Sequence, residues 1–225
     1  VVDFRPDVIF VFRPASLPMP LLVRAKRTGA RMVAWLSGDP VLWDLSYGPV
    51  VESYDVVLHC GTARVLDFYE SMFGRPTGVN FPFWTDQKAF PYVFGSQPRE
   101  SDAMFLGNVH DEVRRTRYFD LGSLSSSIRI HGNVGRDYYN IGGGFLDSDE
   151  EVVEAGARTG LAVNIPQYFR DHQGLETWFD GLDKLGFFQY PSRVIQYAAM
   201  GIPIVSVVPD ADDLASFPEI ICVDS

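Results

Sequence analysis

The feature that most restricts what this chain can fold into is an alternation that runs, breaks and starts again. Short apolar runs rich in β-branched residues alternate with segments of helical period. DVIFVFR (7–13), RMVAWLS (31–37) and YDVVLHC (54–60) have the continuous apolar character of parallel strands buried on both faces. Between the first two, residues 17–28 put Leu21, Leu22 and Ala25 on one helical face and stop at Gly29. After the third, Thr62 caps a predicted helix over 62–74, with Val65, Leu66, Tyr69 and Phe73 on one side and Gly74 at its end. That order predicts a parallel sheet covered by helices. Residues 80–99 interrupt it with prolines and aromatics. A free linker would not carry so many rings, so the segment reads as a connector that packs down.

The pattern then resumes. DAMFLGN (102–108), SIRIHGN (127–133), LAVNI (161–165), IPIVSVV and EIICVD read as strands. Residues 111–122, 149–158 and 191–200 read as helices, the second opening on acids and the third on Pro191 with Gly201 as its stop. The glycine-rich stretch 134–148 reads as an irregular loop. The aromatic excursion 166–190 reads as core, as a lid, or as a surface on which a base or sugar stacks. No sequence repeat accompanies the restart. The expected fold is α/β, two Rossmann-like βαβ domains over residues 1–95 and 96–225. The chain opens on Val1 close to a strand and stops on a strand, so segments are expected beyond both ends.

Composition narrows the function classes. With 19 Lys and Arg against 29 Asp and Glu, the formal net charge is −10. That sign opposes a nucleic-acid backbone and an anionic membrane surface, so no nucleic-acid partner is expected. No run approaches the ~18 apolar residues of a membrane span, and residues 1–23 lack the basic start of a signal peptide. Cys60 and Cys222 give no disulfide framework and no CxxC pair, so both read as buried apolar residues in a reducing cytoplasm. No His, Cys and carboxylate spacing suits a metal, and neither a P-loop nor a G-x-S-x-G elbow is present.

A few residues carry candidate chemistry. Pro191, Ser192 and Arg193 open a helix whose free N–H groups suit a diphosphate, with a hydroxyl from Ser192 and a bidentate cation from Arg193. Arg193 also reads as an ordinary surface ion-pair partner. Gln196, three residues on, shares its face and can bond ribose hydroxyls. Gly107 and Asn108 stand where a strand gives way to a loop, and the glycine lets backbone approach a ligand. Asp39, in SGDP, is either a general base or a turn former before Pro40. His110 either faces the same ligand or caps a helix. His59 and His131 lie on apolar strands and read as core or strand-end residues.

Several segments, in this order, resemble the GT-B glycosyltransferases of the family 1/4 type, and within them the CgeB-like spore-maturation group. MVAWLSGDP resembles the strand that leads to the acceptor loop, and YDVVLHCGTARVLDFY the strand and helix after it. FPFWTDQKAFPY resembles the interdomain connector, with Asp86 and Phe90 at its fixed places, and AMFLGN the strand opening the second domain. YPSRVIQYAAMGIPIVSV resembles the donor segment, with Gln196 and Phe188 where the pattern has paired glutamates and Gly38 where the acceptor loop has a histidine. The resemblance implies two Rossmann-like domains facing across a cleft. It implies sugar transfer from a nucleotide-diphosphate donor such as a UDP-sugar to an unknown acceptor, with no metal and no further cofactor, helix dipole and cations stabilising the leaving diphosphate. Asp39 and His110 then stand on the catalytic side, and Gly107, Asn108, Ser192, Arg193 and Gln196 on the donor side. The alternatives are a module of the same fold that binds a nucleotide sugar without turnover, and a nucleotide-sugar epimerase.

Overall fold

The computed structural model describes residues 4–14, 17–37, 51–61, 65–67, 70–71, 78–107, 127–132, 142–165, 191–207 and 220–223. These residues divide into two compact units that part after Phe83. The sequence pattern puts the division at residue 95.

In the first unit, strands β1 (Val8–Phe12), β2 (Arg31–Leu36), β3 (Val56–His59) and β4 (Val79–Asn80) lie side by side in that order, all parallel. Helix α1 (Met19–Lys26) forms the first crossover. It starts on Pro18 with Pro20 in its first turn, where a missing N–H removes no helical bond, and it buries Leu22 and Ala25. β2 is the core strand: Met32, Ala34 and Leu36 are sealed from solvent. Asp55, just before β3, accepts from the Met32 amide at 2.7 Å while its own amide donates to the Met32 carbonyl at 2.9 Å. This two-way clasp sets the β2–β3 register. The Trp35 indole donates to the Phe81 carbonyl at 3.1 Å, and the buried Cys60 thiol donates to the Leu36 carbonyl at 3.0 Å. β1 departs from expectation. Its apolar run predicts burial on both faces, yet Val8, Phe10 and Phe12 are each more than 50% exposed. It is the edge strand of the described sheet, and in that row Phe12 packs against the Trp35 ring, 4.8 Å between centres, while half or more of each side chain stays exposed.

The second unit holds β5 (Ser101–Leu106), β6 (Ile128–His131), β7 (Gly142–Gly144), α2 (Asp149–Ala157), β8 (Thr159–Asn164), α3 (Ser192–Ala199), β9 (Ile204–Val207) and β10 (Ile220–Val223). Its parallel sheet runs β10-β9-β8-β5-β6-β7. Counted from β5, that is the doubly wound order, with the direction of winding reversing between β5 and β8. Side chains alternate across it. Met104, Ala162 and Ile204 pack on one face with Val194, Tyr197, Met200 and Ile202; Ala103, Phe105, Ile130 and Val163 pack on the other.

The connector joins this second core. Asp86 closes a turn by accepting from the Lys88 amide at 2.8 Å, and Phe90 enters the cluster around Met104 and Tyr197. The Val93 and Phe94 amides both donate to the Met200 carbonyl at the end of α3, at 3.1 and 3.2 Å. Gly201, at φ 75°, lies under the Tyr92 ring with no room for a Cβ. These contacts explain why the units part after Phe83 and not at residue 95.

The glycine triplet 142–144, expected as loop, is a strand. Gly143 lies against the His131 imidazole, where any side chain would collide, so a residue with none is what lets β7 pair with β6. α2 caps itself: Ser148 accepts from the Glu151 amide, and the Glu151 carboxylate accepts from the Asp147 amide.

Two outcomes are expected from this packing. The Tyr197 hydroxyl accepts from the Leu106 amide at 2.7 Å, so Tyr197→Phe should cost ~1–2 kcal/mol in urea unfolding with an unchanged m value. Burial lowers the pKa of His131; a hydrogen bond with the Gly143 backbone opposes that shift and the Arg129 charge adds to it. The folded protein therefore resists a proton that the unfolded chain accepts near its ordinary value of ~6.5. This contribution is complete above that value and is lost as pH falls through it. Melting temperature should drop from pH ~6.5 downward, with a shallower drop in His131→Gln.

Candidate functional site

In a sheet of this order ligands bind beyond the carboxyl ends of the strands, where the winding reverses. Here that point lies between β5 and β8, whose pairing runs as far as Met104 and Ala162. Beyond it stand Gly107 on one side and Asn164 and Ile165 on the other.

The Arg193 side chain occupies this point. Its Nε donates to Asn164 Oδ1 at 3.2 Å and its Nη2 to the Ile165 carbonyl at 3.2 Å, both at the end of β8. Its guanidinium carbon lies 4.7 Å from the centre of the Phe105 ring on β5, a cation–π contact. α3 packs on the sheet face of Met104, and Phe105 belongs to the opposite face. Arg193 thus reaches across the carboxyl edge of the sheet. One turn on, Tyr197 binds the Leu106 amide, so residues i and i+4 of one helix grip the ends of both strands. Burial drives the Tyr197 pKa up and the Arg193 charge opposes this only in part, so the phenol stays neutral.

Asn164, 1% exposed, completes the arrangement. Its Nδ2 donates to Ser206 Oγ on β9 at 2.9 Å, which turns its Oδ1 toward Arg193. Gly107 adopts φ 144°, and a Cβ there would sit 3.2 Å from the Phe105 ring and 3.6 Å from Arg193 Nη1. Its amide donates to the His131 carbonyl at 2.8 Å. Glycine keeps the backbone low beside the guanidinium.

The two helices of this unit differ in their starts. α2 carries three acids in its first turn and a serine cap. α3 begins at Pro191, with no side-chain cap and no acid in its first turn, so its own first turn does not offset the positive end of its dipole. Ser192 is exposed at that start, and Gln196 is half-buried one turn along.

Of the candidates read from sequence, Gly107 and Arg193 are brought together, and Ser192 and Gln196 share the helix that carries Arg193. Asn108, His110 and Asp39 lie outside the described residues. Arg193 is held by β8 and Phe105 and is not simply a surface ion-pair partner. Sequence reasoning misses Phe105, Asn164, Tyr197 and Ser206. One signal is present: Asn164 is the polar residue in the otherwise apolar run LAVNI, and a buried amide in such a strand needs partners. Among the described residues, no group of three or more His, Cys, Asp or Glu is placed to hold a metal ion.

No family model and no curated protein matches this sequence. Among solved structures, it is similar to an alpha-glucosyltransferase in complex with UDP and a 13-mer DNA containing a HMU base, with a TM-score of 0.56 at 12% identity. The match covers 95% of this chain, which spans 62% of the length of that structure. No support arises for the CgeB-like group. The expectation of no nucleic-acid partner is corrected: a protein of this fold has been solved with DNA, and a net charge averaged over a whole chain does not report the potential at one groove. The likeness shows the fold alone: α/β and GT-B-like, with parallel sheets in two Rossmann-like domains.

Proposed function

We propose that this chain transfers a sugar from a nucleotide-diphosphate donor, with the donor held at the carboxyl edge of the second sheet. The observation that carries this reading is the cation at the winding reversal. Arg193 sits where a sheet of this order receives a nucleotide, beside the uncapped start of its own helix. A diphosphate lying there would meet the α3 N–H groups, the Ser192 hydroxyl and the Arg193 guanidinium, and could approach the backbone at Gly107 and Asn108. Gln196 would take the ribose hydroxyls. In the transfer step the bond from the anomeric carbon to the donor phosphate breaks, the acceptor oxygen bonds to that carbon, and Asp39 takes the acceptor's proton. The charge left on the diphosphate is met by the helix start and Arg193, so the step needs no metal. His110 is assigned to the reacting side of the donor.

The similar structure was solved with UDP and DNA, so the donor screen begins with UDP and UDP-sugars, and the acceptor screen includes DNA containing a HMU base. Binding without turnover is the second reading. It is favoured by Gln196, an amide where the donor motif of the resembled family has a carboxylate.

A nucleoside diphosphate at 100 times its Kd should add ~2.7 kcal/mol of stability, which a thermal-shift series detects. Arg193→Ala should weaken that binding ~10–100-fold by calorimetry, since a charge-assisted contact is worth ~1.5–3 kcal/mol. It should also lower unfolding stability, because it leaves buried Asn164 Oδ1 without Arg193. Gln196→Glu should bind as well as wild type or better. Unchanged affinity in Arg193→Ala would remove this helix from the donor site. Asp39→Asn should cut transfer by ~100-fold with donor binding intact, measured as product formed in single turnover.

A further inference from the structure

The cations of this acidic chain are unevenly placed. Six of the 19 Lys and Arg residues (Arg5, Arg13, Arg24, Lys26, Arg27 and Arg31) fall within the first 37 positions, opposed there only by Asp3 and Asp7. Three of them surround one open groove of the first unit, of about 660 Å³, lined by Arg5, Asp7, Arg24, Arg27, Thr28 and Gly29 among others. Among the described residues, the side chains of Arg5, Arg24 and Arg27 form no hydrogen bond and no ion pair.

Arg24, in the last turn of α1, has a local reason to be cationic, because it complements the negative end of the helix dipole. That reason does not reach Arg5. It comes from the segment before β1 and holds a left-handed backbone at φ 45°. Among the described lining residues Asp7 is the one acid, and one carboxylate cannot neutralise three guanidinium groups, so that lining keeps a positive surplus.

Its place in the sheet separates it from the carboxyl edges where ligands of such sheets bind. Asp7 directly precedes β1, and Gly29 and Ala30 directly precede β2, so the groove lies at the amino edge of the first sheet. Strands of this length set the two edges ~17–20 Å apart. Among the described residues the lining holds no aromatic ring on which a base could stack. An anion bound there is recognised by charge, and Lys26 and Arg31, each next in sequence to a lining residue, extend the positive stretch beyond one phosphate.

We propose that this groove binds the phosphodiester backbone of a nucleic acid, without reading its bases. The proposal is independent of sugar transfer and of the α3 site.

The test measures anisotropy of a fluorescent single-stranded oligonucleotide of ~20 nucleotides on the whole chain, from ~50 to ~200 mM salt. Arg24→Glu with Arg27→Glu should weaken binding at least ~10-fold and flatten the plot of log affinity against log salt by ~0.7 for each phosphate no longer neutralised. Arg5→Gln should weaken it in the same direction. Lys88→Glu, an exposed charge change in the second unit, should leave affinity as in wild type. Oligonucleotides of different base sequence should bind alike. Arg193→Ala should retain oligonucleotide binding while losing the nucleoside diphosphate, which separates failure of this proposal from failure of the donor site. Circular dichroism melts check that the variants fold. Wild-type affinity in the double variant, no binding at the lowest salt, or binding only to phosphatidylserine vesicles would overturn the proposal.

Discussion

The second unit depends on one side chain laid across the edge of a sheet. The winding of the sheet reverses between β5 and β8, and the ends of these two strands need something that holds both. Arg193 does so, bonding to Asn164 and Ile165 at the end of β8 and stacking on Phe105 of β5. A guanidinium suits the place because its planar fork donates along its edge while its face lies on a ring. A lysine could do one of these and not both. Asn164 is in turn aimed by Ser206, so the arrangement passes through three adjacent elements and fixes the first turn of α3.

The same helix is held at its other end. The Val93 and Phe94 amides converge on the Met200 carbonyl, and Gly201 admits the Tyr92 ring. The connector therefore acts as a strap over the C-terminus of α3, with Phe90 anchored in the core. A helix of eight residues is too short to be stable alone. Pinned at both ends, it presents its N-terminal N–H groups in a set direction, and a direction is what an anion site requires.

Charge and apolar surface are distributed unevenly over the first unit. Edge strand β1 exposes Val8, Phe10 and Phe12, whereas β2 next to it is sealed. A long apolar edge of this kind is a liability that proteins blunt with charge. The arginines around the amino end of β1 lie where such blunting is useful, which joins the basic groove to the stability of the sheet that carries it.

Much of the fold was legible in the residues because the signals were local. Continuous apolar runs marked β2, β3, β5 and β8. Gly29 and Gly201 marked helix ends, and the acids after Ser148 marked the start of α2. Gly107 and Arg193 were legible as chemistry because a glycine after a strand and a cation at a helix start are themselves local patterns. What only the tertiary structure decided depends on contacts distant in sequence. Gly142–Gly144 became a strand because the His131 imidazole leaves no room for a side chain at Gly143. β1 became an exposed edge through its place in the sheet, which its apolar sequence does not encode. Asn164, Phe105 and Arg193 are up to 88 positions apart and met only because the winding of the sheet reverses between β5 and β8. Periodicity reports which face of an element is apolar; it carries no information about which strand ends will lie side by side.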